Sequence, residues 1–317
     1  MMKKLIDYLK KAKVEGELGI EIELEGRALP MDIPGGVWKV VADYSLRNGA
    51  EYVLRKPIAI KAVSDALDLL TATLRIDGSK IDYSFRTSVH VHLNVQQYTY
   101  VQLLNLIYTY LLIEEPMMEY CGEVRKSNRF CLRLRDAEYF ADILLSLFQD
   151  GPEALERIPA NKVRYAALNL ESLAKFGSVE FRGMRGTCDK DIILNWCTAI
   201  SELGVFAKSV KDPKQIYEIY SEGSPESFFR RVITSNPDKF LTKDFTNDFQ
   251  QSFSLSLDLP FMYKEYEEEP EKEDQECKIE ILMNRLDVVR PAGHAIRKLK
   301  AKPAVLAWDD LVEIDRE

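Results

Sequence analysis

Hydrophobic and polar residues alternate with period two in several short stretches of the chain, and recur with helical spacing in the longer stretches between them. Successive side chains of a strand point to opposite faces, whereas residues three or four apart share one side of a helix. The period-two pattern predicts strands over 17–25, 37–41, 51–54, 88–95, 165–170 and 178–182. Helical spacing predicts helices over 59–76, 97–113, 137–148 and 190–210. The last repeats Ile193, Trp196, Ile200, Leu203 and Ala207 along one side, the stripe expected to pack on a sheet. Residues 1–13 read as a short amphipathic helix with Leu5, Tyr8, Leu9 and Ala12 on one side.

The character changes at Pro213. Two short helices are expected near 216–220 and 226–233. Residues 266–276 form an acidic run of low hydrophobicity, which should be solvated. The tail beyond it carries Arg290, Arg297, Lys298, Lys300 and Lys302, then Trp308, and reads as a surface appendage or a partner-contact arm. The expected division is a catalytic domain over 1–210, a helical extension over 211–265, and an acidic linker with C-terminal tail over 266–317.

The strands place chemistry on one face. In the first, Leu18, Ile20, Ile22 and Leu24 share a side, and Gly19, Glu21, Glu23 and Glu25 share the other. Aligned like charges repel unless solvent or cations screen them, so this face is either solvated or cation-binding. In SVHVHLNV, Val89, Val91, Leu93 and Val95 oppose Ser88, His90, His92 and Asn94. Two of the three histidines in the chain thus stand side by side, either as a hydrogen-bonded surface pair or as ligands. In SVEFR, Ser178, Glu180 and Arg182 oppose Val179 and Phe181, and Arg185 follows in GMRGT, where two glycines permit close backbone approach. EYVLRKP puts Glu51, Val53 and Arg55 opposite Tyr52 and Leu54; DYSL puts Asp43 and Ser45 at a strand end; YAALNL puts Asn169 opposite Leu168 and Leu170.

A concave sheet would gather these polar faces over one site. Carboxylate oxygens suit hard cations such as Mg²⁺ or Mn²⁺; zinc is disfavoured because no thiolate joins the set. The sequence contains no GxxxxGK[ST], GxGxxG or GxSxG motif, so P-loop, Rossmann and serine-hydrolase sites are disfavoured. Five cysteines without a CxxC pair suggest neither a disulfide framework nor a zinc site, and read as buried free thiols. A net charge of −8 disfavours non-specific nucleic-acid or anionic-membrane binding. The most apolar stretch, near 101–113, is too short to span a bilayer. A cytoplasmic protein is expected.

GIEIELEG, DYSL, EYVLRKP, SVHVHLNV, RYAALNL and VEFRGMRGT occur in this order over residues 15–200. In this the chain resembles the amidoligases, carboxylate–amine ligases related to glutamine synthetase and glutamate–cysteine ligase. The resemblance implies an α+β fold of the glutamine synthetase catalytic type: a curved, mainly antiparallel sheet forming a half-barrel, with helices on its outer face. It also implies ATP, Mg²⁺ or Mn²⁺, and an acyl phosphate that an amine attacks. By the same resemblance Glu21, Glu23, Glu51, His90 and Glu180 hold metal, and His92, Arg182 and Asn169 lie on the nucleotide side. Arg182, Arg185 and Glu180 carry the catalytic roles. Arg125, Arg129 and Arg164 match substrate-binding basic positions loosely. Thr87-Ser88-Val89 stand where relatives often carry a glycine-rich lead. Relatives in phages and bacteria point to peptide or cell-surface modification, in a host cytoplasm if the gene is a phage's.

The expected substrates are a small-molecule or peptide carboxylate and an amine, with no nucleic acid or membrane partner. The same carboxylate–histidine set would also suit a metal-dependent phosphodiesterase or nuclease. A third reading is a scaffold whose polar strand faces simply meet water.

Overall fold

The computed structural model describes residues 3–158, 164–241 and 256–263 of the 317-residue chain. The acidic run, the basic tail, Cys277 and most of the stretch beyond residue 241 lie outside the described residues.

The alternating stretches form a seven-stranded antiparallel sheet. Its strands are β1 (Leu18–Arg27), β2 (Trp38–Val41), β3 (Gly49–Leu54), β4 (Lys80–Asp82), β5 (Ser88–Asn94), β6 (Leu168–Asn169) and β7 (Ser178–Arg185). The order across the sheet is β2-β3-β1-β5-β7-β6, with β4 pairing the far end of β1. Helices α1 (Leu5–Leu9), α2 (Ile60–Ile76), α3 (Tyr100–Cys121), α4 (Glu138–Asp150), α5 (Glu171–Phe176), α6 (Lys190–Ser209), α7 (Pro213–Ser221) and α8 (Pro225–Val232) complete the described chain, with a last short turn at Leu259–Met262. The class is therefore α+β, with an open, mainly antiparallel sheet.

Period two decides which face is covered. Leu18, Ile20, Ile22, Leu24, Val89, Val91, Leu93, Val179 and Phe181 are buried in one continuous core with α2, α3 and α6. Burial of this surface drives the sheet and its helical layer together. Helix α3 is the hub of that layer, with nearly all of its side chains buried. Thr99 and Gln102 form a reciprocal cap at its start, worth about 1 kcal/mol. Ile216, Phe228, Phe229 and Val232 of α7 and α8 enter the same core.

The structure extends or adds to the sequence-based elements where local pattern is misleading. The acidic pair at 114–115 suggests that the third helix stops near residue 113, yet α3 runs to Cys121 and through Pro116. Both acids have partners: Glu115 pairs with Arg133 at 2.9 Å, and Glu114 accepts from the Leu134 amide. Tertiary contact here overrides the rarity of buried acids in a helix. Strand β4 and helix α5, three and six residues long, are too short to show a period. Residues 165–170 pair as strand only at Leu168–Asn169.

The register of β5 on β7 shifts between Val89 and Val91: Val91 faces Phe181, and Val89 faces Met184. The extra residue in β7 returns Met184 to the buried face. At the end of this strand Gly186 packs so close to Thr87 that any Cβ would overlap its side chain and carbonyl carbon. Cys121, Cys131 and Cys197 are buried free thiols, and Cys188 is half-buried. Among the described residues, no helix is long and apolar enough to cross a membrane.

Candidate functional site

The polar faces of β3, β1, β5, β7 and β6 converge on an open cavity of about 320 Å³. Its floor carries Glu51, Glu21, Glu23, His90, His92, Glu180, Arg182 and Asn169. Antiparallel register brings them together: Glu23 lies opposite Glu51, Glu21 opposite His90, His92 opposite Glu180, and Glu180 opposite Asn169. Each pair stands on neighbouring strands, within the usual cross-strand reach.

A merely solvated sheet face would leave these groups exposed. Instead Glu23, His90, His92 and Glu180 are 8%, 2%, 3% and 4% exposed. Burying several carboxylates is costly unless each has a partner or a cation. Among themselves the partners are dense. His90 Nδ1 lies 3.3 Å from Glu21 Oε2 and 3.4 Å from Glu180 Oε1. Ser88 Oγ contacts His90 Nε2 at 2.8 Å and donates to Glu23. Glu180 accepts from Arg182 Nη1 at 2.5 Å on one oxygen and from Asn169 Nδ2 at 2.6 Å on the other. His92 Nδ1 meets Ser178 Oγ at 3.1 Å, and its ring packs edge-on against Phe176.

One atom of this network is left over. His92 Nε2 is buried and has no hydrogen-bond partner, although it lies 3.3 Å from Glu21 Oε1. Glu21, His92 and Glu180 each offer a ligand atom, and these atoms lie within 4.8 Å of one another. An orphaned imidazole nitrogen between two carboxylates suits a bound cation.

Charge balance follows the same geometry. Burial works to raise the Glu21 carboxyl, but His92 and His90 outweigh it and hold it well below the usual carboxylate range. Burial likewise works against ionised Glu180, which Arg182, His92 and His90 nevertheless hold low. Glu51 goes the other way, pushed well up by burial and by Glu21, Glu23 and Asp43 around it. Burial also raises Glu23. His92 is raised, since Glu21 and Glu180 outweigh its desolvation. Too many carboxylates share the site for all to ionise without added positive charge.

The family model described as "Putative amidoligase enzyme" matches residues 31–202. The chain belongs to the amidoligase family. No curated protein matches it. This amidoligase therefore presents its buried polar cluster on strands β3, β5, β6 and β7 inside the matched segment, with β1 just outside it. Membership points to a ligase-type enzyme.

The structure places Glu21, Glu23, Glu51, His90, His92, Asn169, Glu180 and Arg182 in one cavity. Arg185 is not among the residues lining it: Nη1 donates to the carbonyls of Tyr120 and Cys121, at 2.9 and 3.2 Å. These lie at the C-terminal end of α3, where carbonyls lack helical partners and attract a guanidinium. Glu25 also leaves the cluster, accepting from the Arg47 amide at 2.6 Å. Arg125 is fully buried and holds the carbonyls of Gly183 and Arg182 at 3.1 and 2.7 Å, so it braces β7.

Other lining residues have no strong sequence signal. Helix α5 contributes Ser172, Lys175 and Phe176, and the loop after β2 contributes Asp43, Tyr44 and Ser45. Lys175 pairs with Glu171 at 3.0 Å. Asp43 accepts from both the amide and the hydroxyl of Ser45, at 2.7 and 2.9 Å, which shapes the loop at the cavity mouth. Arg164 lines the same wall.

Proposed function

We propose that this amidoligase is an ATP-dependent carboxylate–amine ligase that forms an amide bond through an acyl phosphate. The observation that carries the reading is the convergence of Glu21, Glu23, Glu51, His90, His92 and Glu180, with Arg182 beside them, in one buried cluster. Phosphoryl transfer needs charge neutralisation and in-line positioning more than covalent help from the protein. In the first step a carboxylate oxygen of the substrate attacks the γ-phosphorus of ATP, and the bond to ADP breaks. In the second an amine nitrogen attacks the acyl carbon, a proton is lost, and inorganic phosphate leaves.

Glu21, His92 and Glu180 would hold one Mg²⁺ or Mn²⁺, and Glu23, Glu51 and His90 stand beside them for a second. Such cations neutralise phosphate oxygens. Arg182 sits where transferring phosphate gathers negative charge, and Asn169 fixes Glu180 so that its oxygens keep their aim. Ser88 orients Glu23 and His90. On this reading the sheet would curve around this floor as a half-barrel of the glutamine synthetase type. Carboxylate and amine are read as small molecules or peptide groups. A metal-dependent phosphodiesterase would use similar ligands, but membership of an amidoligase family favours the ligase.

The test is incubation with MgATP and a panel of amino acids, peptides and polyamines. It follows phosphate release together with mass gain of the acceptor. ATP-dependent mass gain matched by phosphate release is expected. Nucleic-acid cleavage without ATP, or no nucleotide-dependent product with any acceptor, would overturn the reading.

A further inference from the structure

Three aromatic residues beside the cavity form a row, and each carries the arginine next to it in sequence on its ring. Phe85 and Phe130 stack with centroids 6.3 Å apart, and Phe130 meets Tyr165 edge-on at 5.7 Å. Arg86 lies over Phe85 at 5.2 Å, Arg129 over Phe130 at 4.8 Å, and Arg164 over Tyr165 at 5.8 Å. Phe85 and Tyr165 are 44% and 42% exposed, so the row is a surface rather than a core.

The row is a built surface. Buried Asn128 donates to the Phe85 carbonyl at 2.8 Å and accepts from the Phe130 amide at 3.0 Å, tying two of its loops. The third is tied by the Leu132 amide, which donates to the Tyr165 carbonyl at 2.6 Å. The row also joins the cavity. Arg86 donates to the carbonyl of Ser45 at 2.7 Å, Arg164 lines the cavity wall, and the Phe130 carbonyl accepts from Arg182 at 3.4 Å.

Among the described residues, no carboxylate pairs with Arg86, Arg129 or Arg164. In a chain of net charge −8, three guanidiniums held over rings, with no carboxylate partner among the described residues, make a local positive strip. The ring beneath each guanidinium favours the cation, and Arg129 and Arg164, both exposed, have N–H groups open to an anion, while Arg86 is anchored to the Ser45 carbonyl.

We propose that this row is the binding strip for an extended acidic peptide, the carboxylate substrate of the neighbouring site. An extended chain repeats side chains on one face about every 6.6–6.8 Å. The rings repeat at 6.3 and 5.7 Å, close to that spacing. Acidic side chains meet the guanidiniums of Arg129 and Arg164, while the peptide runs along the row beside the rings and its leading carboxylate enters the cavity past Arg164. A nucleobase is the poorer occupant: one base covers one ring and leaves the other guanidiniums without an anion. The inference rests on the ligase reading only for the fate of that leading carboxylate; binding itself needs neither ATP nor metal.

The experiment uses the full chain and fluorescein-labelled tetraglutamate, with tetraglutamine as the neutral probe, followed by anisotropy in metal-free buffer. Tetraglutamate is expected to bind and tetraglutamine not, with affinity falling as salt rises. Arg129→Gln/Arg164→Gln, both at exposed positions, is expected to weaken tetraglutamate by at least about tenfold, as loss of charge-assisted hydrogen bonds does. Phe130→Leu, which removes the central ring and no charge, is expected to weaken it as well. The proposal is overturned if tetraglutamate does not bind, or binds the double variant as tightly as wild type. It is equally overturned if the double variant loses MgATP affinity while keeping tetraglutamate, since the row would then seat the nucleotide. A protein that binds tetraglutamate through these arginines but never releases phosphate would keep the strip and lose the ligase.

Discussion

Glu21 and Glu180 stand on strands that do not pair with each other, yet both reach the same nitrogen. Glu21 Oε2 lies 3.3 Å from His90 Nδ1, and Glu180 Oε1 lies 3.4 Å from it. One imidazole N–H cannot satisfy two carboxylates equally, and His92 on the other side offers Glu21 a poorly aligned nitrogen. The strand between them sets the gap, so two carboxylates are held facing one another across a histidine. That arrangement is unfavourable as a resting ion cluster and favourable as a cation cradle.

Glu180 is the member that most groups converge upon. Glu180→Gln keeps the shape but removes the negative charge, and its single amide oxygen can accept from only one of Asn169 and Arg182. Steady-state phosphate release is expected to fall by about 10²–10³-fold, the usual scale for losing a charge-positioning group. Unchanged melting would separate that loss from unfolding. Wild-type turnover in this variant would remove Glu180 from the mechanism.

Ser88 acts at one remove. Its hydroxyl bridges Glu23 and His90. In Ser88→Ala both groups lose their common partner while the strand keeps its apolar register. Turnover is expected to fall by roughly 10- to 100-fold, the range for partners that orient ligands. Mn²⁺ affinity should fall with it, and Ser88→Thr should recover part of both. A variant indistinguishable from wild type in kinetics and Mn²⁺ affinity would show that Ser88 only fills space.

Away from the site, Glu114 gives the fold a pH dependence. Burial pushes its carboxyl from its ordinary 4.5 up to about 8. The unfolded chain therefore releases this proton first, and the folded chain retains it until about pH 8. Glu114 should make stability decline as pH climbs from about 4.5 to about 8, with no further loss beyond. Glu114→Gln can still accept from the Leu134 amide and cannot ionise. Chemical denaturation at several pH values should show a flatter profile for Glu114→Gln than for wild type. Parallel profiles would mean that Glu114 titrates normally.

The end of β7 offers a steric test. Gly186→Ala sets a methyl against Thr87, including its backbone carbon, so the loop must shift. Overpacking of this kind costs about 1–3 kcal/mol. Thermal melting should report that loss, with Gly186→Val worse than Gly186→Ala. Equal melting temperatures would show that the loop moves freely.

Much of the site was legible because a strand alternates. Glu21, Glu23, His90, His92 and Glu180 each follow from an apolar neighbour on either side, and the antiparallel register then aligns them. What the sequence hid has separate physical causes. The extra residue of β7 between Phe181 and Met184, opposite Val89–Val91, changes the phase of that strand, which no alternation rule foresees. Arg185 goes to helix-end carbonyls because α3 ends beside it, a tertiary fact. Glu25, third in a row of like acids, caps a turn through the Arg47 amide. Lys175 and Ser172 stand on a helix of six residues, shorter than two turns, so no period marks them. The aromatic–arginine row draws on three separate segments and is visible only once they pack.

The central claim is that Glu21, His92 and Glu180 share a cation, and Mn²⁺ titration followed by electron paramagnetic resonance tests it most directly. Wild-type protein should bind Mn²⁺, with the free-ion signal suppressed until the site fills and Mg²⁺ competing for it. Glu21→Gln/Glu180→Gln should bind at least one Mn²⁺ fewer over the same range, with a correspondingly stronger free-ion signal. Equal binding by wild type and by this folded double variant would contradict the account.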